Sequence, residues 1–194
     1  MKTEIEAKFD NINIEEIRAK LLEIGAVLVQ PETLTRSKIY EHPTLKDHDW
    51  FRARDEGRRI TMSYKKQLDR TLHGMKEISF EVPSFEDACM FIESTHVKFV
   101  SSQEKKREEW KKDGVEITID TWPWIPPFIE IEGADEASVK KIASTLGLNW
   151  DDAMHGSVEN FYMKHYDVTE DEVDDWPEIT FVPVPDWLEK KKRK

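Results

Sequence analysis

The sequence has one cysteine, Cys89, in 194 residues. An intrachain disulfide is therefore excluded, which suits a reducing compartment. The 7 glycines all stand singly, and neither G-x-x-x-x-G-K-[ST] nor G-x-G-x-x-G occurs. A glycine-rich backbone cradle is thus excluded as the main means of holding phosphates. No run approaches the roughly 18 apolar residues of a membrane-spanning helix, and the opening MKTEIEAK lacks the apolar stretch of a signal peptide. Positive charge is also short. Against 40 Asp and Glu stand 29 Lys and Arg, a net charge of −11. Neither a broad nucleic-acid surface nor an anionic-membrane patch is expected from that balance. The expectation is a cytoplasmic protein without nucleic-acid or membrane partners, in which an anion is attracted only by a local basic cluster or by metal ions.

What is present is a foldable chain rich in charge. Hydrophobic residues make up 38% and charged residues 36%, with 9 Phe and 7 Trp, so one domain with a core is expected. Period-two alternation predicts strands over 2–10, 27–40, 49–54, 58–66, 76–82 and 128–133. Two more flank the Asp113-Gly114 turn within 99–120, making about eight. Between them, 13–25 places Ile14, Ile17, Leu21 and Ile24 on one helical face. The stretch 84–95 does so with Phe85, Ala88, Phe91 and Ile92, and 135–147 with Val139, Ile142, Ala143 and Leu146. A fourth helical stretch falls around 157–166. The organisation expected is a main domain over 1–166 and, over 167–194, an extended C-terminal arm packed through its aromatics with a frayed basic end, KKKRK.

The strands share a property. Glu4, Glu6 and Lys8 oppose Ile5, Ala7 and Phe9. Arg52 and Arg54 oppose Phe51 and Ala53; Thr61, Ser63 and Lys65 oppose Ile60, Met62 and Tyr64. Glu77, Ser79 and Glu81 oppose Ile78, Phe80 and Val82. Glu116, Thr118 and Asp120 oppose Val115, Ile117 and Ile119, and Glu130 and Glu132 oppose Ile129 and Ile131. On the strand holding Gln103, Lys105 and Arg107 the opposite face is polar as well until Trp110. The apolar faces match the apolar stripes of three helices, so the helices should cover the sheet from outside. An open antiparallel sheet with a wetted charged face would satisfy this, as would a closed barrel with a polar interior. The charge types are sorted strand by strand, in pairs with one residue between, which favours the barrel. Desolvated charges are tolerable there only if they meet each other, metal ions and a multiply charged ligand. Carboxylates suit hard cations such as Mg²⁺ or Mn²⁺, and Arg and Lys suit phosphate oxygens.

In this order, E-x-E-x-K (Glu4, Glu6, Lys8), R-x-R (Arg52, Arg54), Lys65, Glu77, K-x-R (Lys105, Arg107), Asp120 and E-x-E (Glu130, Glu132) resemble the CYTH family, the triphosphate tunnel metalloenzymes. The resemblance covers about 1–166. It implies an α+β fold, an eight-stranded antiparallel β-barrel or tunnel with a charged interior and amphipathic helices outside. By residue, it implies that Glu4, Glu6, Asp120, Glu130 and Glu132 ligate Mg²⁺ or Mn²⁺. Lys8, Arg52, Arg54, Lys65, Lys105 and Arg107 would grip phosphates, and Glu77 would support a second metal or its water. Glu4, Glu6, Lys8, Lys65 and Glu77 form the catalytic set. One departure from the family is that its frequent second E-x-E reads Glu77-Ile78-Ser79 here. The activity implied is metal-dependent hydrolysis of inorganic triphosphate, thiamine triphosphate or a nucleoside triphosphate. The alternatives are a class IV adenylyl cyclase making cyclic AMP and pyrophosphate from ATP, and a binding module without turnover. Hydrolysis is preferred because it needs no shaped nucleoside pocket. A homodimer is left open.

The remaining motifs have plainer readings. His42, Asp47, His48 and Asp49 are read as a polar loop rather than a metal site. Cys89, beside Ala88 on a helix, is read as a small buried residue. The segment 120–128 is expected to close one barrel end as a rigid Pro-Trp connection, with base stacking on Trp122 or Trp124 as the minor reading.

Overall fold

The computed structural model describes residues 1–42, 49–69 and 71–193. Asp47 and His48 of the polar segment lie outside the described residues, as does the final Lys194. In chain order the elements are β1 (Lys2–Phe9), α1 (Ile14–Glu23), β2 (Val27–Glu41), β3 (Asp49–Asp55), β4 (Ile60–Gln67) and β5 (Met75–Glu81). They continue with α2 (Phe85–Glu93), β6 (Lys98–Lys112), β7 (Val115–Thr121), β8 (Phe128–Gly133), α3 (Glu136–Thr145) and a 3₁₀ turn (Trp150–Asp152). The last are α4 (Glu159–His165), α5 (Glu170–Asp174), β9 (Glu178–Ile179) and α6 (Asp186–Glu189).

Local chemistry sets the helix starts. Asn13, Ser84 and Asp135 each stand at an N-cap and accept first-turn N–H groups, Asp135 from Ser138 at 2.7 Å. At the β6–β7 hairpin, Asp113 (φ 50°) and Gly114 (φ 81°) are both left-handed, the conformation a two-residue turn needs to match strand twist.

Neighbouring strands run in the order β2-β3-β4-β5-β1-β8-β7-β6, and β2 pairs with β6 to close the ring. All eight pair antiparallel. The closed barrel agrees with the face analysis and decides against the open sheet. The two long strands, β2 and β6, have 15 residues each. Their register shifts at Leu28/Gln30, Gln30/Thr33 and Ile39/Tyr40, where bulges bend them around the barrel. Pro31, which cannot donate a ladder hydrogen bond, falls between two of those shifts.

The oily faces point outward, as the alternation predicts. Ala7, Ile117, Ile119, Ile129 and Ile131 pack with Ile17 and Leu21 of α1 and with Val139, Ile142, Ala143 and Leu146 of α3. A Cβ on Gly133 would lie 2.6 Å from Ser138 Oγ, so the bare backbone lets α3 approach β8. On the far side α2 covers Tyr40 and Ala53 with Ala88, Cys89 and Ile92. Here the expected stripe needs correction. Phe91 is 61% exposed, and the smaller Cys89 takes the inward position because the helix sits close to the sheet on its small residues.

The arm differs from the extended, frayed segment expected. A capping box at Thr169 and Glu172 starts α5, β9 pairs parallel with β6 at Ser102 and Gln103, and Trp176 packs edge-on against Tyr162, Trp124 and Trp187. The basic end is tied down, since the Arg193 N–H donates to His165 O at 2.8 Å. Burying Trp176 and Leu188 supplies the apolar contact that local polarity concealed. Among the described residues no helix is long and apolar enough to cross a membrane.

Candidate active site

The inward faces of the strands line a cavity of about 480 Å³, a volume typical of a small-molecule site. The ring order sorts its walls. Since β3 and β4 lie across the barrel from β8 and β7, Arg52, Arg54 and Lys65 face the wall that carries Glu130, Glu132, Glu116 and Asp120. Adjacent strands then set like groups side by side. Glu116, Glu132 and Glu6 form one cross-strand row over β7, β8 and β1, and Lys8 and Glu130 pair in the next.

All ten residues assigned to the site from sequence and resemblance line this one cavity: Glu4, Glu6, Lys8, Arg52, Arg54, Lys65, Glu77, Lys105, Arg107 and Asp120, joined by Glu130 and Glu132 of β8. Their charges are matched closely. Lys8 lies between Glu6, to which it donates, and Glu130 at 3.4 Å. Lys65 reaches Glu4 at 2.8 Å, and Arg52 reaches Glu77 at 3.1 Å. Asp120 accepts from Lys105 Nζ at 2.9 Å and from Arg107 Nε and Nη2 at 2.7 and 2.6 Å, and Arg107 also touches Glu130 at 3.3 Å. Arg54 is the least committed cation, with Ser37 Oγ at 3.3 Å and Glu56 at 3.4 Å.

Burial and neighbours set the protonation states. Burial alone would raise the Asp120 carboxyl, but Arg107 and Lys105 outweigh it and hold the group below the usual aspartate range. Glu130 is held well down in the same way, by Lys8 and Arg107 against burial. Burial, then repulsion from Arg107, brings the Lys105 ammonium down to about 7 despite Asp120. Burial pushes Glu4 up to about 7 against the pull of Lys65, with the hydrogen bond to Glu77 adding to the rise. Glu77 goes the other way, to about 2, because Lys65, the Glu4 hydrogen bond and Arg52 overcome its burial. The two carboxyls thus titrate as a pair sharing a proton.

Several cavity residues were not singled out from sequence. Glu56 and Glu109 continue the alternation of Arg52-Arg54 and Lys105-Arg107 by one more step, so the signal existed. Glu56 is held at about 2 by Arg54 and Arg59 against its burial, and Glu109 meets Arg58 at 3.1 Å. Asp174 and Glu170 come from the arm, with no local signal. Of the two tryptophans, Trp122 lines the cavity, whereas Trp124 packs on Trp176. The Pro-Trp segment closes the barrel end, with Tyr162 and Tyr166 hydroxyls donating to Pro123 O at 2.9 Å and Trp124 O at 2.6 Å.

The sequence model of the CYTH domain matches residues 2–158. The chain belongs to the CYTH family. Comparison with curated sequences finds no significant relative. Solved structures share the CYTH fold closely. A protein of Pyrococcus horikoshii superposes with a TM-score of 0.69 at 23% identity, over 81% of this chain and 98% of that one. A candidate adenylate cyclase from Vibrio parahaemolyticus gives 0.69 at 15%, over 84% and 98%. A candidate adenylyl cyclase from Hippeastrum, whose dominant activity is triphosphatase, gives 0.56 at 12%, over 84% and 96%. At these identities the likeness is one of fold.

CYTH enzymes are generally dependent on divalent metal ions, and the donor chemistry here fits such an ion. Glu4, Glu6, Glu130 and Glu132 offer only oxygen, on neighbouring strands β1 and β8, with no thiol or imidazole among them. Asp120 has both oxygens engaged by Lys105 and Arg107. Among the described residues no three acidic, histidine or cysteine side chains are already gathered as an ion cage.

Proposed function

We propose that this CYTH tunnel binds a triphosphate-containing substrate together with Mg²⁺ or Mn²⁺ and hydrolyses it. One observation carries the reading. Six buried or half-buried cations, Lys8, Arg52, Arg54, Lys65, Lys105 and Arg107, ring a bore whose facing wall supplies oxygen donors. A chain of phosphates chelating a metal uses both sets at once. Without ligand, cations and carboxylates neutralise each other, and a metal–triphosphate complex can take over both sets of partners with little change in net charge.

Glu4, Glu6, Glu130 and Glu132 would hold the ion. When bound, it supplies charge neutralisation and a more acidic water. The other groups act directly. Arg52, Arg54 and Lys65 grip phosphate oxygens from one wall, while Arg107 and Lys105, held in place by Asp120, do so from the other and stabilise charge developing in line. Glu77 fixes Arg52 at 3.1 Å. Little covalent work falls to the protein, and positioning supplies most of the effect.

Incubation of the protein with Mg²⁺ or Mn²⁺ and inorganic triphosphate or ATP, followed by phosphorus NMR, tests the reading. Orthophosphate release is the expected result. Pyrophosphate with cyclic AMP would replace the hydrolase by a cyclase. Tight binding without turnover would leave a binding module. Arg54→Ala is expected to weaken triphosphate binding about 10–100-fold, or ~1.4–2.7 kcal/mol. Its guanidinium has few internal partners, so little is left unpaired by its removal. Calorimetric titration checks this, and an unchanged Kd would remove Arg54 from the binding set.

A further inference from the structure

The C-terminal arm, beyond the 2–158 match, contributes to the tunnel. It carries Glu170, Val173 and Asp174 of α5 to one mouth of the bore, beside Trp122, Ser101 and Glu159. The placement is firm. Ser102 N–H donates to Pro177 O at 3.0 Å, and β9 continues from there alongside β6. Val173 and Trp176 share one buried cluster with Trp122. The mouth is strongly acidic. Burial and then the charges of Glu159, Glu170, Glu41 and Asp171 push Asp174 up to about 7.

A second feature of this mouth independently asks for a ligand. Trp122 is 8% exposed and Ser101 2% exposed, both line the cavity, and neither Trp122 Nε1 nor Ser101 Oγ has a hydrogen-bond partner among the described residues. Lys105 Nζ lies 5.6 Å from the Trp122 ring centre. A buried indole N–H beside an ammonium suits an anionic acceptor, such as the oxygen of a phosphate ester. Just beyond, the carboxylates of α5 suit positive charge and repel a terminal phosphate.

We infer that this mouth is the subsite for the organic end of the substrate, and that Asp174 and Glu170 select a triphosphate monoester whose organic group is positively charged. The inference rests on the proposal that the bore takes a triphosphate. It also orients the chain: the ester end lies under the arm by Trp122, and the terminal phosphate lies deeper, among the arginines.

The test compares aminoethyl triphosphate with its neutral counterpart hydroxyethyl triphosphate and with inorganic triphosphate, on the full-length protein with Mg²⁺. The readout is kcat/KM where there is turnover and calorimetric Kd in every case. The aminoethyl ester is expected to be favoured over the hydroxyethyl ester by about tenfold, the effect of one partly screened charge pair. In the Asp174→Asn, Glu170→Gln double variant, that ratio should fall to within about twofold. If the neutral ester and inorganic triphosphate bind while the aminoethyl ester has no advantage, or if the double variant keeps the advantage, this inference fails and the triphosphate reading stands. If none of the three binds or reacts, the triphosphate reading fails and this inference with it.

Discussion

Asp120→Ala is expected to cost about 3–5 kcal/mol of folding stability, the usual cost of removing one partner from a buried ion pair. Asp120 is 1% exposed and accepts three hydrogen bonds from two cations that are themselves inside the bore. Without it, Lys105 and Arg107 face each other with only Glu130 between the two walls. Arg107 cannot release its proton, but Lys105, already down at about 7, can. The pH dependence follows from these directions. The Asp120 carboxyl is depressed in the folded protein, so its contribution is fully present above the ordinary aspartate range and is lost as pH falls through the lower folded value. A depressed lysine makes folding release a proton, so the variant regains stability as pH rises above 7. Urea denaturation across pH should therefore show the largest deficit between about pH 4 and 7, narrowing on either side. A deficit under 1 kcal/mol, or one independent of pH, would mean that the triad does not anchor the basic wall.

The second large effect concerns turnover. Glu130→Gln should reduce metal-dependent hydrolysis by roughly 10²–10³-fold, the scale for losing one group aimed at developing charge. Glutamine keeps the volume and removes the negative charge between Lys8 at 3.4 Å and Arg107 at 3.3 Å. The loss should appear in kcat together with a higher Mg²⁺ concentration for half-activation, because an amide is a poorer ligand for a hard cation than a carboxylate. Metal titration of activity, with circular dichroism as the control for folding, checks it. Wild-type turnover at wild-type Mg²⁺ demand would take Glu130 out of the site.

Much of the fold was readable because its chemistry is local and periodic. In a strand, Glu4, Glu6 and Lys8 share a face whatever lies around them, and so do Ile129 and Ile131. The Asp113-Gly114 turn is likewise dictated by the left-handed conformation of two residues. Phe91 was misread for the opposite reason. Helical periodicity marks Phe85, Ala88, Phe91 and Ile92 as one stripe, but the distance between α2 and the sheet, which no local pattern contains, favours Cys89. The arm was misread similarly. Acidic and proline-bearing residues hide the tryptophan contacts with Tyr162 and Trp124 that give it a fixed place.

The identity of the inward-facing residues needed only the sequence, because alternation is a property of one strand. Which of them meet needed the closed ring. The pairing of β2 with β6 sets Arg52 and Arg54 across the bore from Glu130 and Glu132, and it brings Lys105 and Arg107 to Asp120. Only the folded arm places Asp174 at the mouth, 54 residues after Asp120 in the chain. Charges act through space, and the distances that decide their partners and their protonation are fixed by strand order and helix docking.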